Sequence, residues 1–237
     1  MPPLTVLADA NVLVKDVVSY VFFDLAKARV IDLRWTPQIE VEYAKHRARL
    51  RAQANQRASG FEDLVWAQER LETIKKHLVP GFQLPGWDDN GDRLAMLRSN
   101  KALAALLQMP DPGDVHVALA AADWAQTTGR DVVLATDNLK DFPAMVLEPF
   151  GVVPLHPGDV LQLAYQMDPE EASSSLQKTA AGFKNPAFSP LDMLASIKSP
   201  QQFDNQELAA DLAVRWGLAV PGTAQGTTQA RTKQSPR

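Results

Sequence analysis

Leu4-Thr5-Val6-Leu7-Ala8-Asp9-Ala10-Asn11-Val12-Leu13 is the stretch that decides the fold. A short apolar run ends on an acid, and a helical period begins at once. That pattern reads as a buried strand, a tight turn and a helix continuing to about residue 28. Working outward, a second strand is expected over 30–35. Thr36-Pro37 then supplies an N-cap and a proline suited to the first helical position. The helix it opens is expected to run to about residue 57, where Ser59-Gly60 breaks it. A further helix is expected over 61–78, then a Pro/Gly-rich loop over 80–91 with room for one strand, then a helix over 94–107 stopped by Pro110. Asp114 is placed to cap a helix over 115–128, whose small residues Ala118, Ala121, Ala122 and Ala125 permit close packing on a sheet. Gly129 ends that helix. A strand over 131–135, a loop over 136–142, a short helix over 143–150 and a last strand over 152–155 complete the alternation. Strands alternating with helices predict an α/β fold with a mostly parallel sheet and right-handed crossovers.

Four further helices are expected over 158–167, 169–182, 190–198 and 205–216. The expected organisation is a domain over 1–157, a helical C-terminal region over 158–217 and a disordered tail over 218–237, where Gly, Thr, Gln and Ala dominate. The 46% hydrophobic content is enough for a substantial core, and no internal repeat is visible. A net charge of -4 excludes a broadly basic nucleic-acid-coating protein, so any such contact needs a local basic patch or a bound cation. With no cysteine, disulfides, thiolate metal sites and cysteine nucleophiles are excluded, and the 4 histidines argue against a zinc-rich site. Carboxylates and carbonyls remain, and these suit hard divalent cations. No stretch approaches the roughly 20 apolar residues that span a bilayer, and the N-terminal segment lacks a basic leader before its apolar run. A soluble cytoplasmic protein without membrane contact is therefore expected.

The chemistry lies in where the acids fall. Asp9 ends the first strand, Asp111 and Asp114 precede the alanine-rich helix, and Asp137 and Asp141 follow the strand over 131–135. In a parallel sheet all these loops lie at the carboxyl edge, where sites form. Glu42 lies about two turns into the helix that Thr36 opens and can point toward the same edge. Converging carboxylates repel one another and are costly to desolvate unless a cation neutralises them. A carboxylate-held Mg²⁺ or Mn²⁺ suits phosphodiester hydrolysis.

The segments around these acids resemble the motifs of PIN-domain ribonucleases. Asp9-Ala10-Asn11-Val12-Leu13 is similar to the family's opening motif, and Trp35-Thr36-Pro37-Gln38-Ile39-Glu40-Val41-Glu42 to its second, with Glu42 at the glutamate. Asp111-Pro112-Gly113-Asp114-Val115-His116-Val117-Ala118 resembles the third, with Asp114 at the metal-ligand position and Asp111 as its companion. Ala135-Thr136-Asp137-Asn138-Leu139-Lys140-Asp141-Phe142-Pro143 resembles the fourth. Order and spacing agree over residues 4–160, and the subgroup most similar is the VapC-like toxins of toxin–antitoxin pairs. The resemblance implies a PIN-like α/β/α sandwich and an endoribonuclease using Mg²⁺ or Mn²⁺, with an RNA substrate and a VapB-like antitoxin partner; a homodimer is a common family arrangement. Asp9, Glu42, Asp114 and Asp141 would form the acidic cluster, with Asp9 and Asp114 the strongest ligands. Asn11, Asp111, Thr136, Asp137 and Asn138 would support it, and either Asp137 or Asp141 would complete the set.

Plainer readings stand beside these. Asp9 and Asp114 are ordinary helix-capping acids, Glu42 a solvated helix acid, and His116 a hydrogen-bonded histidine near a helix start. Lys45, Arg47 and Arg51 read either as a solvated helix surface or as a phosphate-tracking patch beside the acids. Trp87 is the tryptophan best placed for base stacking, the others being core candidates. A catalytically silent PIN-like scaffold or RNA-binding module and a DNA nuclease with the same metal site are the competing functions. A dinucleotide-binding role fails for want of G-x-G-x-x-G after the first strand.

Overall fold

The computed structural model describes residues 2–76, 78, 82–84, 103–184 and 186–218. Four parallel strands, β1 (Leu4–Ala8), β2 (Ile31–Arg34), β3 (Val132–Ala135) and β4 (Val152–Leu155), form one sheet in the order β2-β1-β3-β4. Burial explains that order. In β1 all but the first residue are buried, and β3 is buried throughout, as central strands covered on both faces require. In β2 and β4 buried and half-buried residues alternate, and Pro154, which cannot donate to a ladder, sits in the edge strand β4.

Helices flank the sheet. α1 (Ala10–Leu13) and α2 (Asp16–Lys27) follow β1, α3 (Pro37–Ala54) and α4 (Phe61–Lys75) follow β2, and α5 (Val115–Thr128) leads into β3. The Thr36 side chain caps α3 by accepting from the Ile39 amide, with Pro37 in the first turn. In α5 the expected close-packing face is buried at Ala118, Ala121, Ala122 and Ala125, and Gly129 terminates the helix in the left-handed conformation at φ 64°. The short α6 (Ala144–Leu147) continues into a 3₁₀ turn, Glu148–Phe150, before β4.

Among the described residues four more helices follow β4: α7 (Pro157–Met167), α8 (Pro169–Gly182), α9 (Pro190–Lys198) and α10 (Gln206–Arg215). Each is capped by a side chain, from His156, Asp168, Ser189 and Asn205 respectively. α8 packs on α2, where the Thr179 hydroxyl donates to Asp24 at 2.7 Å. One cluster of buried side chains runs from Val6 in β1 to Ala213 in α10. Among the described residues no helix is long and apolar enough to cross a membrane.

The structure corrects several expected boundaries. The helix predicted over 10–28 is broken at Val14-Lys15, where the Val14 carbonyl accepts from the Arg47 guanidinium at 2.9 Å. The expected helix over 94–107 lies mostly outside the described residues, and its described end is a 3₁₀ turn, Leu103–Gln108. From the loop over 80–91, Gln83 makes a parallel bridge to Trp35 and the Leu84 amide donates to the Trp35 carbonyl at 2.9 Å. Trp87 and the tail over 219–237 lie outside the described residues.

Candidate metal centre

Strand register sets the floor of the site. Ala8, Ala135 and Leu155 pair across β1, β3 and β4. The residues one step beyond them, Asp9, Thr136 and His156, therefore line up along the carboxyl edge. The Asp9 amide donates to the Ala135 carbonyl and the Thr136 amide to the Leu155 carbonyl, each at 3.0 Å, so the row is held by backbone bonds past the last paired residues.

Two loops bring the remaining acids over this edge. Asp111 starts the turn Pro112–Asp114 that enters α5, and its Oδ1 accepts from the Gly113 amide at 2.8 Å. Asp114 is thereby relieved of the capping role the sequence suggested: its side chain caps nothing. Asp141 sits in the loop after β3, anchored by the buried Phe142 that follows it. The Asn138 side-chain amide donates to Asp141 Oδ2 and fixes that carboxylate. Asp111, Asp114 and Asp141 each offer an oxygen within 4.8 Å of the other two. Three carboxylates so close can hold a metal ion.

Asp9 and Glu42 stand beside this triad and act on it through charge. Burial pushes the Asp114 carboxyl up to about 7, with the charges of Asp9, Asp111, Asp141 and Glu42 adding to the rise. Asp9, only 5% exposed, is pushed up to about 6, chiefly by burial, against the hydrogen bonds it accepts from the Thr136 hydroxyl and the Ala10 amide. Glu42 Oε1 accepts from His116 Nε2 at 3.0 Å, so His116 is a hydrogen-bonded histidine at the start of α5. Glu40 belongs elsewhere, as its position two residues away on α3 predicts: it accepts from Trp35, Lys75 and Gln83.

The supporting residues form a lattice beneath the acids. Thr136, fully buried, donates to Asp9 Oδ2 at 2.8 Å and accepts from the Asn138 amide at 3.0 Å. Asn11 spans the β1 and β3 loops, its side chain donating to the Thr136 hydroxyl and accepting from the Asp137 amide, both at 3.4 Å.

Asp137 is not one of the three clustered carboxylates and pairs with Lys15 at 2.8 Å and His156 at 3.3 Å. Burial pushes its carboxyl up, but those two partners outweigh burial and hold it below the usual range. Of the two candidates for the fourth position, Asp141 joins the triad and Asp137 is an anchor. Lys15 and His156 were not singled out from sequence. The only signal was His156 before Pro157-Gly158, a helix start, and its Nδ1 does accept from the Gly158 amide at 3.2 Å.

The donor set fits a hard divalent cation. The three side chains offer only carboxylate oxygens, the ligands such ions take. Asp114 Oδ2 is buried with no hydrogen-bond partner, a costly state for a carboxylate unless a cation completes it. In comparisons with known proteins, no family model, no curated protein and no solved structure matches the chain.

The basic residues on α3 divide sharply. Arg47 donates to the Val14 carbonyl and pairs with Asp16 at 3.0 Å. Arg51 lies over the Trp66 ring, 4.9 Å from its centroid, and pairs with Asp63 at 3.6 Å. Both arginines brace α3 against its neighbours, and Lys45 remains exposed.

Proposed function

We propose that this chain is a metal-dependent endoribonuclease that hydrolyses RNA phosphodiesters, with Mg²⁺ or Mn²⁺ held by Asp111, Asp114 and Asp141. The observation that carries the reading is the approach of those three carboxylates within 4.8 Å, one of them with a buried oxygen lacking any partner. The bound cation supplies Lewis acidity for attack on a phosphodiester. The chain's own residues prepare the ground. Asn138 holds one oxygen of Asp141 and so orients that carboxylate. Thr136 holds one oxygen of Asp9, whose charge raises the demand of Asp114 for a cation. Glu42 and His116 form a hydrogen-bonded pair at the rim, placed to accept or return a proton.

The four motif resemblances, in order and on the expected strands and helices, support a PIN-like nuclease of the VapC-like toxin group. On that reading a VapB-like antitoxin restrains the activity, and two copies of the chain form a homodimer. Calorimetric titration with Mn²⁺ together with RNA cleavage by wild type and Asp114→Asn tests the proposal. Mn²⁺ binding and cleavage are expected in wild type, with cleavage reduced by about 10²-fold or more in the variant. Single-stranded DNA as a parallel substrate distinguishes a DNA nuclease. A wild-type protein that binds no Mn²⁺ and leaves RNA intact removes the assignment.

A further inference from the structure

We propose that Lys45, His46 and Arg49 form a track along α3 for the sugar-phosphate backbone of a single-stranded nucleic acid, leading to the acidic cluster. The inference rests on the nuclease reading and specifies where its substrate lies. An α-helix turns about 100° per residue, so positions 3, 4 and 7 beyond Glu42 share its face. Those positions are Lys45, His46 and Arg49. All three are exposed, and among the described residues none makes a hydrogen bond or an ion pair. Arg47 and Arg51 project from the other side of the helix and are held by Asp16, Asp63 and the Val14 carbonyl. The two arginines one turn apart, the most conspicuous basic pair in the sequence of α3, are thus internal braces.

The starting point of the stripe gives it direction. Glu42 is tied to His116, two residues after Asp114, so the stripe begins at the rim of the acid triad. From Glu42 to Arg49 the helix rises by about 10 Å, room for about two phosphates of an extended strand. The chain carries a net charge of -4, and the triad, Asp9 and Glu42 concentrate negative charge at this edge. A polyanion approaching the site therefore needs cations placed outside it, and unpaired ones give up no existing ion pair on contact. No aromatic side chain interleaves the three, which suits tracking of the backbone without base selection. An acidic protein segment is the competing occupant. It lacks a reason to continue from the stripe into a second cluster of carboxylates, whereas a strand to be cut has one.

The test uses a fluorescent single-stranded oligonucleotide with 2′-O-methyl riboses, which resists cleavage, bound to the full chain without added metal over a range of NaCl concentrations. For single strands each phosphate contact contributes about 0.7 to the slope of log affinity against log salt. Lys45→Gln/Arg49→Gln should make the slope shallower by about 1.4 and weaken binding at low salt. Arg47→Gln should lower the melting temperature and leave the slope in place. An unchanged slope in the Lys45/Arg49 variant overturns the track. So does polyglutamate that binds wild type as tightly as the oligonucleotide, since it assigns the stripe to an acidic partner. Because the slope is read without metal, a wild-type protein that fails to bind Mn²⁺ counts against the nuclease reading alone.

Discussion

The hydroxyl of Thr136 donates a 2.8 Å hydrogen bond to Oδ2 of Asp9 across 127 residues of sequence, at the point where β1 and β3 both end. Both side chains are buried. This bond joins the floor of the candidate site to the loop that carries Asp141, because the same Thr136 oxygen also accepts from the Asn138 amide. Asn138 in turn holds Asp141. The acidic residues are therefore coupled through a chain of hydrogen bonds as well as through charge.

Replacing Thr136 by valine keeps the shape and removes the donor. Asp9 then loses a side-chain bond at a buried position, at a cost of about 1–3 kcal/mol. Urea unfolding of Thr136→Val should show a lower midpoint with an unchanged denaturant slope. The loss should shrink at pH 5, where a protonated Asp9 needs a donor less. Equal stability of the two proteins at pH 7 would show that the bond carries no such weight.

The raised carboxyls set the pH dependence of the metal-free protein. Asp9 moves from 3.8 to about 6 and Asp114 from 3.8 to about 7, so the folded state keeps protons that the unfolded chain releases. Their contribution to stability is complete below about pH 4 and is lost as pH rises through about 6 to 7. Cation binding needs the ionised forms. Mn²⁺ affinity should therefore rise with pH up to about 7, and the melting-temperature gain at fixed Mn²⁺ should grow over the same interval. Thermal scans at pH 5, 6, 7 and 8 with and without Mn²⁺ measure this. A gain independent of pH rules out displacement of those protons.

The sheet was legible because its determinants are local. Apolar runs bounded by Asp9, Gly129 and Gly151 mark the strands, and Pro-led helix starts mark α3 and α7 to α9. Most of the candidate site was legible as well, since Asp9 directly follows β1, Asp114 directly precedes α5 and Asp141 lies in the loop that joins β3 to α6. What the sequence hid depends on partners brought from afar. Asp111 and Asp114 differ in their hydrogen bonds: the Gly113 amide donates to Asp111, whereas Asp114 Oδ2 is buried without a partner. Asp137 and Asp141 are told apart by Lys15 and His156, which lie 122 and 19 residues from Asp137 in the chain. Arg47 and Arg51 share a helix face in any reading, but only the packing of α3 shows that Asp16, Asp63 and Trp66 occupy that face.

Asp63 gives the acid limb of the stability curve. It is fully buried at the start of α4, where Arg57 donates to both its oxygens at 2.6 Å and the Gly60 amide donates at 3.0 Å. The Arg57 bond, followed by the Gly60 amide, holds its carboxyl down at about 2. Since the folded value lies below the ordinary 3.8, the stability it contributes is present above about pH 4 and is lost as pH falls toward about 2. Wild type should melt at a higher temperature than Asp63→Asn at pH 6, and the difference should close steadily between about pH 4 and pH 2. A gap that persists at pH 2 would trace the effect to shape and not to charge.

Gly158 fixes how the C-terminal helices seat on the sheet. It lies in the first turn of α7, directly after His156 and Pro157, and a Cβ at this position would lie 1.6 Å from the carbonyl oxygen of Phe203. That atom is backbone, so it cannot swing aside as a flexible side-chain end would. Phe203 is itself buried, and Asn205 just beyond it donates to the Gly158 carbonyl at 3.3 Å, which leaves the segment between α9 and α10 little freedom to withdraw. Gly158→Ala should therefore cost about 1–3 kcal/mol or more through overpacking. Gly182, with nothing within 4 Å of an added Cβ, is the control: alanine there should leave the unfolding midpoint nearly unchanged. The same variant has a second consequence, because His156 reaches Asp137 from the residue that caps this turn. Displacing α7 should loosen that pair, and weaker Mn²⁺ binding is expected along with the lost stability. A Gly158→Ala protein as stable as Gly182→Ala would refute the close approach of Phe203 to α7.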